Sequence, residues 1–280
     1  GGGTTMANGD AAYDVALDQN NNIYICGGVT TLSTAIFDGV SMAFANPGFV
    51  LKVDNNGNVL WVEGYGSPVY GIAVDNNNVP VINIGTNTIA KIDASNGAIV
   101  NSVSFSGDLQ SPFLHNVEVD ANNNIYVLGI GAGPNGQVTK VKKFNASGVS
   151  QWNYFDSGIG GPVNFKFTPD NAIVIIHRGI TGSINGFSKI DLNGNRIWSV
   201  AGINSLSVGD AAGDAFGNTY IINGEYVVSN AGSIIKKLSA SGVVIWSKTN
   251  TMSGNRIEVG TDNNPVISGY PNSGSSGSAF

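Results

Sequence analysis

Along residues 16–27 the chain reads ALDQNNNIYICG: apolar and polar positions alternate into an aspartate, asparagines follow, and Ile, Tyr, Ile and Cys continue at strand spacing. Period-two alternation puts successive side chains on opposite faces of a strand, and an Asx-rich break between two such runs marks a tight turn. The phrase returns as AVDNNNVPVINI at 73–84 and EVDANNNIYVLG at 118–129. Degenerate copies are KFTPDNAIVIIH (166–177), AGDAFGNTYIIN (212–223) and EVGTDNNPVISG (258–269). Counted from Asp18, the equivalent positions are Asp75, Asp120, Thr168, Asp214 and Gly260, at intervals of 57, 45, 48, 46 and 46 residues.

A second phrase interleaves with the first: VDNNGNVLW at 53–61, FNASGVSQW at 144–152, IDLNGNRIW at 190–198 and LSASGVVIW at 238–246. Its turn glycines are Gly57, Gly97, Gly148, Gly194 and Gly242, followed four residues later by Trp61, Asn101, Trp152, Trp198 and Trp246. Each unit therefore predicts four short strands: one before and one after the Asp-Asn turn, one before the Gly turn, and one carrying the Trp. No segment holds a helical period. A four-stranded antiparallel unit of about 40–50 residues, repeated, predicts an all-β protein, a β-propeller of four-stranded blades. The units fall at about 10–66, 67–108, 109–158, 159–204, 205–251 and 252–280, in a single domain over 1–280. The Trp is expected to wedge between neighbouring sheets, and Asn101 to leave one such contact weaker. The sixth unit reaches VISGY at 266–270 without a following Gly turn or Trp, and no Trp strand precedes the first. Six or seven blades are therefore expected, incomplete at both chain ends.

Units of this form, with D-x-A-x-D-x-x-N-N-I-Y-x-x-G followed by F-V-x-K-x-D-x-x-G-x-x-x-W, resemble the SBBP-type bacterial β-propeller repeats. They are also similar to quinoprotein-like repeats, in which Gly-x-x-x-Trp docks adjacent blades. Residues 14–61 carry the best match, and the fourth unit lacks the turn aspartate. The resemblance implies the fold and a setting among extracellular bacterial or virion- and tail-associated proteins. Quinoprotein dehydrogenases in many cases use a vicinal cysteine pair, and this chain has one cysteine. Propeller-type antibiotic lyases use a His and Glu pair at the channel, for which His115 with Glu118 is the nearest match.

Composition narrows the function classes. Charged residues make up 11% of the chain, and 39 Gly and 36 Asn supply much of its polarity. A net charge of −6 argues against a nucleic-acid partner, which needs clustered Lys and Arg. No apolar run is long enough for a membrane-spanning helix. The single cysteine, Cys26, excludes an intrachain disulfide and sits at strand spacing, as a small buried hydrophobe would. The Asp18-Gln-Asn-Asn-Asn22 pattern has the alternate oxygens of a calcium loop but lacks its glycine and bidentate glutamate, and reads as a repeated β-turn. No catalytic set, metal site or cofactor is predicted. His115 and His177 have no nucleophile at a matching spacing, so both read as structural.

Two sets of candidate binding residues remain. Tight turns occupy one face of the predicted ring; the other carries the unlike connections at 28–48, 64–70, 129–137, 178–186, 223–232 and 269–278. Variable loops on a rigid scaffold are the usual seat of binding. Their aromatics Phe37, Phe44, Tyr65, Tyr70, Tyr226 and Tyr270 are candidate ligand contacts. The innermost strands carry the second set, expected to line the axial channel: Asp14, Asn116, Glu118, Asn164, Lys166, Asp210, Arg256 and Glu258. The resulting expectation is a non-catalytic binding or structural module of an extracellular assembly, at a virion or cell surface. It would be a phage tail or fibre component or a bacterial adhesin, binding glycan, protein or other subunits of that assembly. The alternative is a propeller enzyme, a lyase or quinoprotein-like oxidoreductase, with its site at the channel.

Overall fold

The computed structural model describes residues 11–29, 35–37, 40–42, 47–105, 116–133, 136–156, 161–178, 186–201, 209–224, 233–249 and 252–271. Every regular element among them is a strand. The first blade begins with β1 (Ala11–Leu17) and β2 (Ile23–Gly28). A separate hairpin, β3 (Ala35–Phe37) with β4 (Val40–Met42), then precedes β5 (Gly48–Val53) and β6 (Val59–Tyr65). The second blade is β7 (Val69–Val74), β8 (Pro80–Ile84), β9 (Thr88–Ile92) and β10 (Ile99–Ser104). The third is β11 (Asn116–Val119), β12 (Ile125–Gly133), β13 (Gly136–Phe144) and β14 (Ser150–Asp156). The fourth is β15 (Gly161–Thr168), β16 (Ala172–Arg178), β17 (Gly186–Asp191) and β18 (Arg196–Ala201). The fifth is β19 (Asp210–Gly213), β20 (Thr219–Gly224), β21 (Ser233–Leu238) and β22 (Val244–Thr249), and β23 (Met252–Val259) pairs with β24 (Pro265–Pro271). Each of the five complete sheets is an antiparallel meander in chain order, which is the blade of a multi-blade β-propeller. The expected connection at 129–137 is mostly strand, because LGIGAG contains no Asx or Pro to end the pairing and β12 continues to Gly133.

Packing gathers the chain into two compact units, Gly1–Ala132 with Val141–Asn153, and Gly133–Lys140 with Tyr154–Phe280. Within the first, Tyr24, Cys26, Val50, Tyr65, Ile72 and Ile82 form one core between the first two blades. Val81, Ile89, Val117, Ile125, Val127 and Phe144 form another, between the second and third. Ile82 and Val81 are adjacent in β8 and enter opposite cores, as the strand period requires. The second unit repeats the arrangement: Ile221 joins Val174, Phe187 and Trp198, while Tyr220 and Ile222 join Ile235 and Ile257. Both faces of a blade are thus buried, which is why its second strands read as near-continuous apolar runs.

The turns are held from within by their first residue. Asp18 Oδ1 accepts the backbone N–H groups of Asn20 and Asn22 at 2.9 Å, and its Oδ2 accepts the Asn22 side-chain amide at 2.8 Å. Asp54, Asp120 and Asp191 repeat the same three bonds with their own asparagines, and Asp214 makes them with Phe216 N–H and with the backbone and side-chain amides of Asn218. The alternating oxygens that resemble a calcium loop are therefore engaged by the turn's own amides. Asn21, Asn78, Asn123, Asn171 and Asn263 take the left-handed position, with φ of 57–62°. Several also reach sideways. Asn78 Oδ1 accepts Gln19 N–H at 2.9 Å, Asn123 Oδ1 accepts Asn76 N–H at 2.9 Å, and Asn263 Oδ1 accepts Ala215 N–H at 3.0 Å. Each of these bonds clasps the turn of one blade to that of the next.

A single row across each blade sets the contact between neighbours. In the first blade the pairing is Ala16–Tyr24–Lys52–Trp61, and in the fifth Ala212–Tyr220–Lys237–Trp246. The lysine ammonium lies over the tyrosine ring at 4.8 Å in both, and the tryptophan packs edge-on to the same ring at 5.9–6.0 Å. Trp61 Nε1 donates to the Ala94 carbonyl of the second blade at 3.1 Å. The Gly-turn of the following blade lies against the indole. A Cβ on Gly97 would stand 2.8 Å from Trp61 Cζ3, and one on Gly242 would stand 2.7 Å from Trp198 Cγ. Trp198 is buried, whereas Trp61, Trp152 and Trp246 are half-buried. The fourth blade has Val174 in the tyrosine position, which lets Trp198 sit deeper.

Candidate binding end and inner strands

Strand direction separates two ends of each blade. The ammonium of Lys52 is 3.7 Å from Asp18 in the first turn of its own blade and donates to Ala94 O, in the Gly-turn of the second blade, at 2.9 Å. Asp-Asn turns and Gly-turns therefore share one end, and it is uniform. The connections from second to third strands, and from blade to blade, leave from the other end. They differ in length: β8 reaches β9 within residues 85–87, whereas residues 29–47 and the β3–β4 hairpin separate β2 from β5.

At that second end the inner strands carry matched β-bulges. β1 slips between Ala12 and Asp14 and β7 between Val69 and Gly71, and the bulged residues are Tyr13 and Tyr70. A bulge redirects its side chain out of the pleat alternation, and here the two rings stack, with centroids 5.3 Å apart and planes at 29°. The Asn83 carboxamide oxygen fixes the second bulge by accepting the N–H of Tyr70 at 3.0 Å and of Gly71 at 2.6 Å. Between the tyrosines, Asp14 bridges the strands, accepting Val15 N–H at 2.9 Å and Ile72 N–H, from the second blade, at 3.0 Å. Tyr70 is half-buried, and burial together with Tyr13 raises its hydroxyl pKa. Tyr13 stays 47% exposed, so the pair presents an aromatic face to solvent.

Of the other candidate ligand contacts, Tyr65 is taken up by packing. It is buried, and its hydroxyl donates to the Gly97 carbonyl at 2.7 Å, so it joins the blade contact instead of the surface. Phe37 lies in β3, paired with Val40, and Tyr270 in β24, paired with Ser253. Phe44 and Tyr226 lie outside the described residues, as does His115. Tyr13 was not singled out in the sequence because a bulge breaks the alternation. The signal available was its place directly before Asp14, matched by Tyr70 before Gly71 and His115 before Asn116.

The inner-strand polar set forms ties between blades. Lys166 in the fourth blade binds Asp210 in the fifth at 2.8 Å and Glu258 in β23 at 2.6 Å. Asp210 Oδ2 also accepts Ile257 N–H at 3.0 Å. This is the bond that Asp14 makes to Ile72, repeated in the second unit. Asn116 donates to Glu118 at 3.4 Å, Asn164 accepts Phe165 N–H at 2.9 Å, and Arg256 is exposed.

His177 sits in a buried cluster whose composition resembles a hydrolytic triad and whose proton order does not. Ser188 Oγ donates to Asp156 Oδ2 at 2.5 Å, and Tyr154 donates to the same oxygen at 2.9 Å. Its proton being used there, Ser188 accepts from His177 Nε2 at 3.1 Å, and His177 Nδ1 then accepts from Thr139 at 2.9 Å. A nucleophilic serine donates to its histidine; this one accepts, beneath complete burial. Burial outweighs the Asp156 charge and pulls the His177 pKa down to about 4, so the ring is neutral at pH 7.

No known domain family matches the sequence, and no curated protein matches it. Solved structures do match the fold. Hydrazine synthase of Kuenenia stuttgartiensis aligns over 91% of this chain and 82% of its own, at 13% identity and a TM-score of 0.62. The WD40 domain of Neurospora crassa Pan2 aligns over 89% and 69%, at 9% identity and 0.60. A gluconolactonase of Xanthomonas campestris aligns over 93% and 84%, at 14% identity and 0.51. Likeness at this level of identity carries architecture and leaves chemistry to the site. Topology and likeness together identify the chain as a multi-blade β-propeller.

Proposed function

We propose that the chain is a non-catalytic binding module of SBBP-like β-propeller repeats that engages a glycan, or a protein partner, through the end bearing its unlike connections. The observation that carries this reading is the stacked Tyr13–Tyr70 pair, held by two bulges and by Asn83 and Asp14 while Tyr13 stays open to solvent. Fixed aromatic faces suit sugar rings and protein hot spots because little side-chain freedom is lost on contact. The opposite end is built of turns whose polar groups satisfy one another. Low charge and clasped repeats further suit an extracellular assembly, such as a virion tail fibre or a bacterial surface adhesin. The test is a glycan array, run with identification of proteins that co-purify and with assay of the retained glycan for chemical change. A retained, unaltered glycan or a defined protein partner supports the module. Conversion of the glycan would favour the enzyme alternative.

A further inference from the structure

Three of the left-handed glycines follow an asparagine, in the tight turns at Asn56–Gly57, Asn96–Gly97 and Asn193–Gly194. In each, the glycine N–H is donated back across the turn: from Gly57 to the Asp54 carbonyl at 3.1 Å, from Gly97 to Asp93 at 2.8 Å and from Gly194 to Asp191 at 3.1 Å. Their surroundings differ. Asn56 and Gly57 are exposed, and nothing lies within 4 Å of where a Gly57 Cβ would stand. The Asn56 carboxamide has no hydrogen-bond partner among the described residues. Gly97, in contrast, is buried in the joint between the first and second blades, where a Cβ would stand 2.6 Å from Glu63 Cβ and 2.8 Å from Trp61 Cζ3. Its carbonyl accepts the Tyr65 hydroxyl at 2.7 Å, and the Asn96 carboxamide oxygen accepts Ala98 N–H at 2.9 Å. Asn193 lies between these extremes, exposed itself beside a half-buried Gly194.

We propose that Asn56 is a site of spontaneous conversion to isoaspartate, and that docking of the second blade on the first withholds the same reaction from Asn96. An asparagine followed by glycine is open to attack by the next backbone nitrogen, because glycine has no Cβ to obstruct the approach. The Gly57 amide loses its proton to solvent base and its nitrogen bonds to Asn56 Cγ; the carboxamide nitrogen takes up a proton and leaves as ammonia. Water then opens the succinimide ring at either carbonyl, giving aspartate or isoaspartate, whose main chain runs through Cγ. Ring closure requires the Asn–Gly peptide to turn until the nitrogen faces Cγ, so the glycine must move. Gly57 has room for that movement. Gly97 has none while Trp61 packs on it and Tyr65 holds its carbonyl. The product at Asn56 is a new carboxylate on an exposed turn, which leaves the blade contacts in place. At Asn96 the added main-chain atom would shift the Ala94 carbonyl, to which both Lys52 and Trp61 donate.

The test is incubation of the intact chain at mildly alkaline pH, with samples digested over time and read by mass spectrometry, using fragmentation that separates isoaspartate from aspartate. The same chain unfolded in guanidinium chloride gives the reference rate of each step. In the folded chain isoaspartate should accumulate at Asn56, while Asn96 reacts at least about tenfold more slowly than in the unfolded reference, because the joint must first open. Trp61→Ala loosens that joint and should raise the Asn96 rate at least about threefold without changing that of Asn56. Should this variant fail to fold, Tyr65→Phe, which removes only the hydroxyl bond to the Gly97 carbonyl, should move the Asn96 rate in the same direction. An Asn56 that stays unmodified in the folded chain would overturn the proposal. So would an Asn96 as reactive as Asn56, or an Asn96 rate unmoved by the folded joint variant.

Discussion

Gly242 of the fifth blade lies against Trp198 of the fourth so closely that a Cβ there would stand 2.7 Å from both Cβ and Cγ of the tryptophan. Gly57 has the same kind of backbone, at φ +90°, and nothing within 4 Å of its absent Cβ. The two glycines separate backbone strain from docking. Gly57→Ala should cost about 1–2 kcal/mol, the left-handed penalty alone. Gly242→Ala should cost about 1–3 kcal/mol more, because Trp198 must be displaced. Trp198→Ala should cost about 3–5 kcal/mol. Urea denaturation of the three variants checks the order; equal losses for the two glycines would remove the docking role.

The turn asparagines do two jobs, and a pair of substitutions divides them. Asn78→Gly keeps the left-handed position and loses the clasp to Gln19 N–H, for an expected loss of about 1 kcal/mol. Asn78→Ala loses both and should cost about 1–2 kcal/mol more. Amide hydrogen exchange at Gln19 should quicken in both variants, since each leaves that N–H without its acceptor.

Acid sensitivity follows from His177. Its pKa in the folded chain is about 4, against an ordinary value of 6.5, so the unfolded chain binds more protons between those limits. Stability should therefore fall as pH drops from about 6.5 to 4, by on the order of 3 kcal/mol from this residue. The turn aspartates act lower down. Burial opposes ionisation of Asp18, but bonds from Asn22 and Asn20 and the Lys52 charge outweigh it and hold its carboxyl below the usual range. His177→Gln should flatten the profile between pH 4 and 6.5 while leaving the steeper loss below it. Denaturation midpoints at three pH values above 4 measure the difference.

The connection between β2 and β5 is expected to contribute to binding and not to folding, because the blades pack through their strands. Deletion of residues 31–45 should leave the thermal midpoint within a few degrees and abolish retention of the partner or glycan. Full retention by a folded deletion variant would take this connection out of the binding end.

The turns were legible in the sequence because they are local: an aspartate, its asparagines and the left-handed residue lie within five positions of one another. The Gly-x-x-x-Trp phrase was legible for the same reason, but its partner was not. Trp61 docks on Gly97, in the turn of the following blade, and only the packed structure reveals that step. Tyr65 appeared as a surface aromatic from its place beside a connection; strand direction turns it inward, where its hydroxyl meets Gly97. Tyr13 and Tyr70 lie 57 residues apart and share a face because both sit on bulges, and period-two reading is blind to a bulge. The missing tryptophan at Asn101 was visible in the sequence, whereas the packing of Val103 against the Gly148 turn was not. That Val81 also stands in place of a tyrosine becomes meaningful once pairing sets it beside Lys91.

Binding by the chain and by a Tyr13→Ala/Tyr70→Ala variant, compared on one glycan array and against one set of co-purifying proteins, tests the proposed binding end most directly. The account predicts that the folded double variant loses at least about tenfold in affinity, the scale of two lost aromatic contacts. A turn-end control, Asn20→Ala, should bind as the unmodified chain does. Undiminished binding by the tyrosine variant, or loss confined to the turn-end control, would contradict it.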